Sequence, residues 1–139
     1  MDRAAARAGP LAWEEEGQGR RAADPRAHGD VVLARKDAPA SYHLASTLDD
    51  AAMGVTHVIR GADLIASTDV HRLLQALLGL PAPVHRHHGL ICGPDGRRLA
   101  KRDAAASLAS LRAAGIDGGT LAADLRAGRL PAGYLLKNP

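Results

Sequence analysis

The near absence of large aromatic side chains limits the core that this chain can build. Hydrophobic residues make up 46% of the 139 residues, but aromatic residues only 2%, with no Phe, one Trp and two Tyr. The apolar content is therefore mostly Ala and Leu, and these side chains bury less surface each than aromatic side chains do. Since this length corresponds to about one domain, the sequence predicts a domain whose core is marginal or incomplete.

Strand-like and helical patterns alternate along the chain, which predicts an α/β fold. Compact apolar runs bounded by charged residues, Gly or Pro favour strands, and they cover residues 31–34, 42–48, 56–59 and 84–92. Helical patterns cover residues 67–78, 104–114 and 121–127. We expect Ser67 or Thr68 to cap the first of these helices and Gly79 to end it. Residues 1–29 are typical of a short helix followed by a polar loop.

The chain is mildly basic, with a formal net charge of +3, and Arg outnumbers Lys by fifteen to three. This balance is compatible with an RNA or nucleotide partner, although the base composition of a GC-rich genome would produce it as well. The single cysteine, Cys92, excludes an internal disulfide and a Cys-based zinc cluster. No apolar run approaches the ~20 residues of a membrane span, so we expect a cytoplasmic protein with no membrane partner.

Three local features could carry chemistry. Arg60 stands at the end of a predicted strand, where its guanidinium could hold a carboxylate or phosphate in a fork, or could form a surface ion pair with Asp63 or Asp50. Tyr42 could donate its hydroxyl to a ligand or could be an ordinary edge residue. The basic loop over residues 97–102 could close on a polyphosphate, or could be a solvated loop.

A histidine group invites a metal hypothesis that the spacing does not favour. On an extended segment His85 and His87 share a face, whereas His88 points to the other side. No Cys or carboxylate lies close by in sequence to complete a tetrahedral site. We therefore predict no metal site here.

Five segments have a characteristic order and spacing. They are residues 29–37 (GDVVLARKD), 41–45 (SYHLA), 49–50 (DD), 54–64 (GVTHVIRGADL) and 98–101 (RLAK). Together they resemble the class I glutamyl-tRNA synthetase family over about residues 11–111. Within that family the chain is similar to the short paralogues that glutamylate queuosine-bearing tRNA(Asp) and have no anticodon-binding domain.

The resemblance implies a partial Rossmann-like catalytic domain with its N-terminal half missing. Residues 30–111 would form the C-terminal half of that domain, with the second ATP signature of the family, K-M-S-K-S, at residues 98–102. Residues 1–29 would be the remnant of an inserted region, and residues 112–139 a short helical tail. The implied activity is activation of glutamate with ATP and Mg²⁺, followed by transfer of glutamate to tRNA.

The resemblance also assigns roles to single residues. Tyr42 and Arg60 match glutamate-binding residues of the family, and Ser46 stands where related synthetases tend to place an Asn that faces the substrate. Lys101 matches the catalytic lysine that stabilises the ATP phosphates, and Arg98 and Leu99 belong to the same ATP-binding loop.

The chain departs from the family pattern in ways that matter for activity. Arg98 and Ala100 replace a Lys and the Ser of the ATP signature, while Lys101 is kept. The first ATP signature, H-I-G-H, and the cysteines of the family's zinc site do not occur in the 139 residues. We therefore expect a truncated chain that is inactive alone, from a parent that is a monomer. The alternatives are a fragment of a glutamyl-tRNA synthetase proper and a non-catalytic RNA-binding remnant.

Overall fold

The structure, a computed structural model, describes residues 1–99 and 107–138. The chain divides into two compact units, Met1–His88 and Gly89–Pro139. None of the described helices is both long and apolar enough to cross a membrane.

The first unit contains a four-stranded sheet with helices packed against it. In chain order its elements are helix α1 (Asp2–Ala8), strands β1 (Leu11–Glu15) and β2 (Gly19–Ala23), helix α2 (Tyr42–Ala52), strand β3 (His57–Gly61), helix α3 (Ile65–Leu78) and strand β4 (Val84–His88). The strand order is β2-β1-β4-β3. Strand β4 runs parallel to both β1 and β3, whereas β1 and β2 form an antiparallel hairpin. The predicted α/β class with parallel strands is confirmed.

Helix α3 supplies most of the core of this unit. Its apolar face buries Val70, Leu73 and Leu74, and the helix packs against α1, α2 and β1. Trp13 of β1 is also buried, and its indole Nε1 donates a hydrogen bond to Asp69 of α3 at 2.8 Å. The hairpin is therefore tied to the helix by a buried ring and a charge-assisted hydrogen bond.

The second unit is smaller. It contains strand β5 (Leu90–Cys92), helices α4 (Leu108–Ala113) and α5 (Gly118–Arg126), and strand β6 (Leu135–Lys137), which pairs antiparallel with β5. A tight turn follows β5, in which the Gly96 N–H donates to the Gly93 carbonyl at 2.9 Å. The segment expected to be a helical tail thus holds a strand as well as a helix.

Several sequence-based elements are confirmed and others were wrong. The strand over 56–59, the helix ending at Leu78, the strand-like segment 84–92 and the C-terminal helices have counterparts in the described residues. Residues 31–34 form no strand, although the Leu33 carbonyl accepts a hydrogen bond from the Ser41 N–H at 2.7 Å. The run 42–48 is helical, because Ser41 caps α2 through the Leu44 N–H.

Two boundaries near the functional residues also differ from expectation. The cap predicted at Ser67 or Thr68 is wrong, because a 3-10 turn over Ala62–Leu64 leads directly into α3 at Ile65. The polar loop predicted after α1 is the β1–β2 hairpin, with Gly17 in the turn at φ 77° and Gly19 at the start of β2 at φ 80°. Glycine adopts these left-handed values without steric cost, so the two glycines allow the chain to reverse between the strands.

Candidate functional site

Arg60 is the centre of a hydrogen-bond network at the end of β3. Its Nε donates to His87 Nε2 at 3.2 Å, Nη2 donates to Thr68 Oγ1 at 2.6 Å, and Nη1 donates to His71 Nδ1 at 3.3 Å. These partners come from β4 and α3, and all three are buried, while Arg60 itself is half-buried. The guanidinium is therefore held on three sides and keeps partial access to solvent.

A buried carboxylate from β1 stands behind His87. One oxygen of Glu15 accepts the His87 backbone N–H at 2.7 Å, and the other lies 2.7 Å from the His87 ring Nδ1. Burial tends to raise the pKa of the Glu15 carboxyl, but the hydrogen bonds and charge interactions with His87 and Arg21 outweigh it and lower the pKa. Glu15 is thus ionised at neutral pH although only 2% of it is exposed.

The partners of the His87 ring fix its tautomer. A guanidinium can only donate, so His87 Nε2 must accept from Arg60, and the ring proton must then lie on Nδ1, where it is donated to Glu15. His71 Nδ1 likewise accepts from Arg60, so the ring proton of His71 lies on Nε2. That proton is donated to His43 Nδ1 at 3.0 Å.

The histidines beside Arg60 are held in the neutral state. Burial, together with the positive charge of Arg60, lowers the pKa of His71 to about 3 and that of His85 to about 4. The pKa of His43 is lowered as well, first by burial and then by the nearby His28 and Arg60. At neutral pH His71, His85 and His43 therefore add no positive charge beside Arg60.

The structure brings Tyr42 and Arg60 to the same histidine. The Tyr42 ring lies 5.7 Å from the His71 ring and 5.8 Å from the His43 ring, and 57% of Tyr42 is exposed. Both residues therefore face one side-chain cluster, which we define as the Arg60 cluster: Glu15, Tyr42, His43, Arg60, Thr68, His71 and His87.

The Arg60 cluster as defined does not include the remaining expected site residues. Ser46 is on α2, one turn after Tyr42, with a buried Oγ that has no hydrogen-bond partner among the described residues. Arg98 and Leu99 lie in the second unit, after β5. Lys101 is outside the described residues. The Arg60 cluster thus contains two of the expected site residues.

The histidines that suggested a metal site have other contacts. His85 and His87 share a face of β4, as expected, with parallel rings 5.8 Å apart, and both rings meet Trp13 edge-on. Within residues 1–99 and 107–138 no three His, Cys, Asp or Glu side chains are arranged to hold a metal ion.

The arrangement leaves Arg60 able to bind an anion. A guanidinium has five N–H donors, and the three bonds described use one on each nitrogen. One N–H on each terminal nitrogen has no partner in the described part of the chain, and a fork of this kind binds carboxylates bidentately. No carboxylate of the described residues forms an ion pair with Arg60.

Comparison with known proteins identifies the family. The model for the catalytic domain of class I tRNA synthetases (E and Q) matches residues 4–122. The chain belongs to this family. It is 61% identical over 90 residues to a glutamyl-Q tRNA(Asp) synthetase of Rhodobacter capsulatus, covering 65% of this chain and 32% of that protein. It is 54% identical over 91 residues to a Symbiobacterium thermophilum protein of the same name, covering 66% of this chain and 28% of that protein.

A solved structure supports the same family. The glutamate-tRNA synthetase of Elizabethkingia anophelis superposes with a TM-score of 0.58 at 34% identity, covering 68% of this chain and 19% of that chain. The chain spans roughly a third of the length of the curated relatives named above.

Glu15, Thr68 and His71 were not expected as members of the site. Strand periodicity offered a signal for Glu15, because alternate residues of a strand share a face and Trp13 is two residues before it. The three consecutive glutamates obscured which one would be buried, however, since no sequence pattern separates a buried carboxylate from a solvated one.

Proposed function

We propose that this chain is part of a synthetase that activates glutamate with ATP and Mg²⁺ and transfers it to queuosine-bearing tRNA(Asp). In this proposal Arg60 and Tyr42 bind the glutamate substrate, with Ser46 on the same helix as Tyr42. Lys101 stabilises the ATP phosphates, and Arg98 and Leu99 are its neighbours in the ATP-binding loop. The acceptor is inferred from the Rhodobacter and Symbiobacterium relatives, whose names specify glutamyl-Q tRNA(Asp).

The observation that carries the glutamate assignment is the set of neutral acceptors around Arg60. A half-buried guanidinium is normally neutralised by a carboxylate, but the partners of Arg60 are the Thr68 hydroxyl, the neutral His71 ring and the acceptor nitrogen of His87. The positive charge of Arg60 therefore remains available to an anionic ligand. A carboxylate of glutamate supplies two oxygens with the spacing of the free N–H pair.

The proposal is tested in a chimera of the Rhodobacter capsulatus relative in which the matching segment is replaced by this chain's residues. We expect the chimera to charge queuosine-bearing tRNA(Asp) with glutamate, and Arg60→Gln in the chimera to remove that activity. The 139-residue chain alone is expected to show no glutamate-dependent ATP–pyrophosphate exchange, because its sequence contains no H-I-G-H. A folded chimera that binds tRNA but does not respond to glutamate would contradict the proposal.

A second candidate, glutamate–tRNA ligase activity toward tRNA(Glu), is favoured by the similarity to the Elizabethkingia structure. Both candidates use the same amino-acid chemistry, so the acceptor separates them. Charging of tRNA(Glu) in preference to queuosine-bearing tRNA(Asp) by the chimera would select the second candidate. Unmodified tRNA(Asp), which lacks queuosine, serves as the control acceptor.

A further inference from the structure

We propose that Glu15 is a positioning residue for the Arg60 guanidinium and acts on it through His87. This inference rests on the proposed function of Arg60 in binding the substrate carboxylate. The Glu15 carboxylate bonds to His87, and we assign it no contact with substrate.

The sheet places the three residues in a row. Arg60 on β3 is the direct register partner of His87 on β4, and Glu15 on β1 is the register partner of His85, two residues before His87. The carboxylate of Glu15 reaches along the strand to both the backbone and the ring of His87 at 2.7 Å. The neighbouring strands β1, β4 and β3 therefore place a carboxylate, an imidazole and a guanidinium side by side in that order.

The protons in this row have one consistent arrangement. With Glu15 ionised, the favoured His87 tautomer carries its proton on Nδ1, which leaves Nε2 as an acceptor for the Arg60 Nε–H. If the ring proton moved to Nε2, two donors would face each other across the 3.2 Å between His87 Nε2 and Arg60 Nε. The carboxylate thereby decides whether His87 can hold the guanidinium.

The imidazole between the two charges has a chemical advantage. A buried carboxylate is unfavourable unless it is hydrogen-bonded and compensated by a positive charge. A direct pair between Glu15 and Arg60 would meet that need, but it would occupy the N–H fork that binds an anion. With His87 between them, the carboxylate is satisfied and one N–H on each terminal nitrogen of Arg60 remains available.

The alternative is that Glu15 only attaches the β1–β2 hairpin to β4. Such a structural role predicts that a Glu15 variant loses stability without a change at Arg60. The readout must therefore be the His87 ring and the Arg60 side chain themselves rather than stability alone.

The variant Glu15→Gln removes the charge and keeps the shape. Its matched control is Glu14→Gln, which removes the same charge from the adjacent residue of β1, where the side chain is exposed and points to the opposite face. In the full chain, ring ¹⁵N shifts from NMR report the His87 tautomer, and the Arg60 Nε–H signal reports exchange with solvent. Titration with L-glutamate, with L-glutamine as the uncharged comparison, reports binding.

We expect the unsubstituted chain and Glu14→Gln to show His87 protonated on Nδ1 and a protected Arg60 Nε–H. In Glu15→Gln the His87 proton should move at least partly to Nε2, the Arg60 signal should lose protection, and L-glutamate should bind about tenfold more weakly, the usual effect of losing a hydrogen bond to a charged group. An unchanged tautomer and an unchanged Arg60 signal in folded Glu15→Gln would overturn the proposal.

Further results separate this proposal from the proposed function. If the unsubstituted chain binds L-glutamate no better than L-glutamine, the role of Arg60 in substrate binding fails, whereas the tautomer still tests positioning. If Glu15→Gln changes the His87 tautomer but leaves the affinity for glutamate unchanged, the positioning role of Glu15 is contradicted and the proposed function of Arg60 is not. If Glu15→Gln does not fold, the unsubstituted chain decides, because a His87 proton found on Nε2 is incompatible with the proposed row.

The variant His87→Gln supplies a second, independent test. A glutamine amide oxygen can replace Nε2 as acceptor for Arg60 without help from a carboxylate. Adding Glu15→Gln to His87→Gln should then cause no further loss of glutamate affinity. An additional tenfold loss in the double variant, as in Glu15→Gln alone, would show that Glu15 acts by another route.

Discussion

Arg60 is half-buried among neutral hydrogen-bond acceptors, and this environment determines which substitutions the position can accept. Its three described hydrogen bonds use all three nitrogens of the guanidinium, to His87, Thr68 and His71. A lysine would keep the positive charge but has a single nitrogen with three donors, so it cannot serve these acceptors and a carboxylate together. The position therefore requires the planar fork as well as the charge.

We predict that Arg60→Lys weakens binding of L-glutamate by about tenfold or more, because a bidentate charge-assisted contact is lost. Calorimetric titration of the full chain measures the affinity. The matched control is Arg86→Lys on the neighbouring strand, where an exposed ion pair with Glu16 at 3.4 Å should be insensitive to the exchange. Equal affinity for L-glutamate in Arg60→Lys and the unsubstituted chain would contradict bidentate binding by the guanidinium.

At the residue scale the sequence predicted Arg60 as a ligand-binding residue but did not predict the residues that hold its guanidinium. The position of Arg60 at a strand end pointed to a carboxylate clamp, and the structure surrounds it with acceptors instead of the ion pairs that Asp63 or Asp50 could have formed. The roles of all the expected site residues stay predictions: Tyr42, Ser46, Arg60, Arg98, Leu99 and Lys101. Strand periodicity alone could not establish the burial of Glu15, because that burial depends on the pairing of β1 with β4, which joins residues distant in sequence.

At the scale of elements, helix α3 shows which sequence signals are dependable. Its leucines at helical spacing and its terminal glycine were both recognisable, and Gly79 indeed ends the helix in the left-handed conformation, at φ 66° and ψ 29°. Helix α2 was mistaken for a strand, because a short apolar run does not distinguish a strand from a buried helix. In the structure α2 packs against α3. Residues 42–48 alone do not predict this contact.

We predict that Gly79→Ala lowers the free energy of unfolding of the first unit by about 1 kcal/mol. A Cβ at this position would meet no atom within 4 Å, so the cost comes from the left-handed backbone alone. Urea unfolding followed by Trp13 fluorescence measures it. Gly79→Asn is the matched control, since asparagine tolerates this conformation better than alanine. Equal stability of the alanine variant and the unsubstituted chain would contradict the backbone argument.

At the scale of the whole molecule, the buried histidines link stability to pH. In the unfolded chain each histidine takes up a proton near its ordinary pKa of 6.5, whereas folding lowers the pKa of His71 to about 3 and of His85 to about 4. Between these values the unfolded state binds more protons than the folded state. The stability they contribute is therefore complete above pH 6.5 and decreases as the pH falls.

Glu15 extends this acid sensitivity to lower pH. Its pKa is lowered in the folded state from the ordinary value of 4.5, so the stability from its ionised form is present above pH 4.5 and is lost as the pH falls through the folded pKa. The histidines thus account for the first loss of stability on acidification, and the carboxylate for a later one.

We predict that the free energy of unfolding of the first unit falls by about 1 kcal/mol per buried histidine between pH 7 and pH 5, after allowance for solvent screening. His85 is the more informative of the two, because it is only 3% exposed and its Nδ1 has no hydrogen-bond partner among the described residues. His85→Gln should reduce the pH dependence by one histidine's share, whereas the exposed control His57→Gln should leave it unchanged. Urea titrations followed by Trp13 fluorescence at each pH decide the point, and a pH-independent stability over this range would mean that the histidines are not held neutral by the fold.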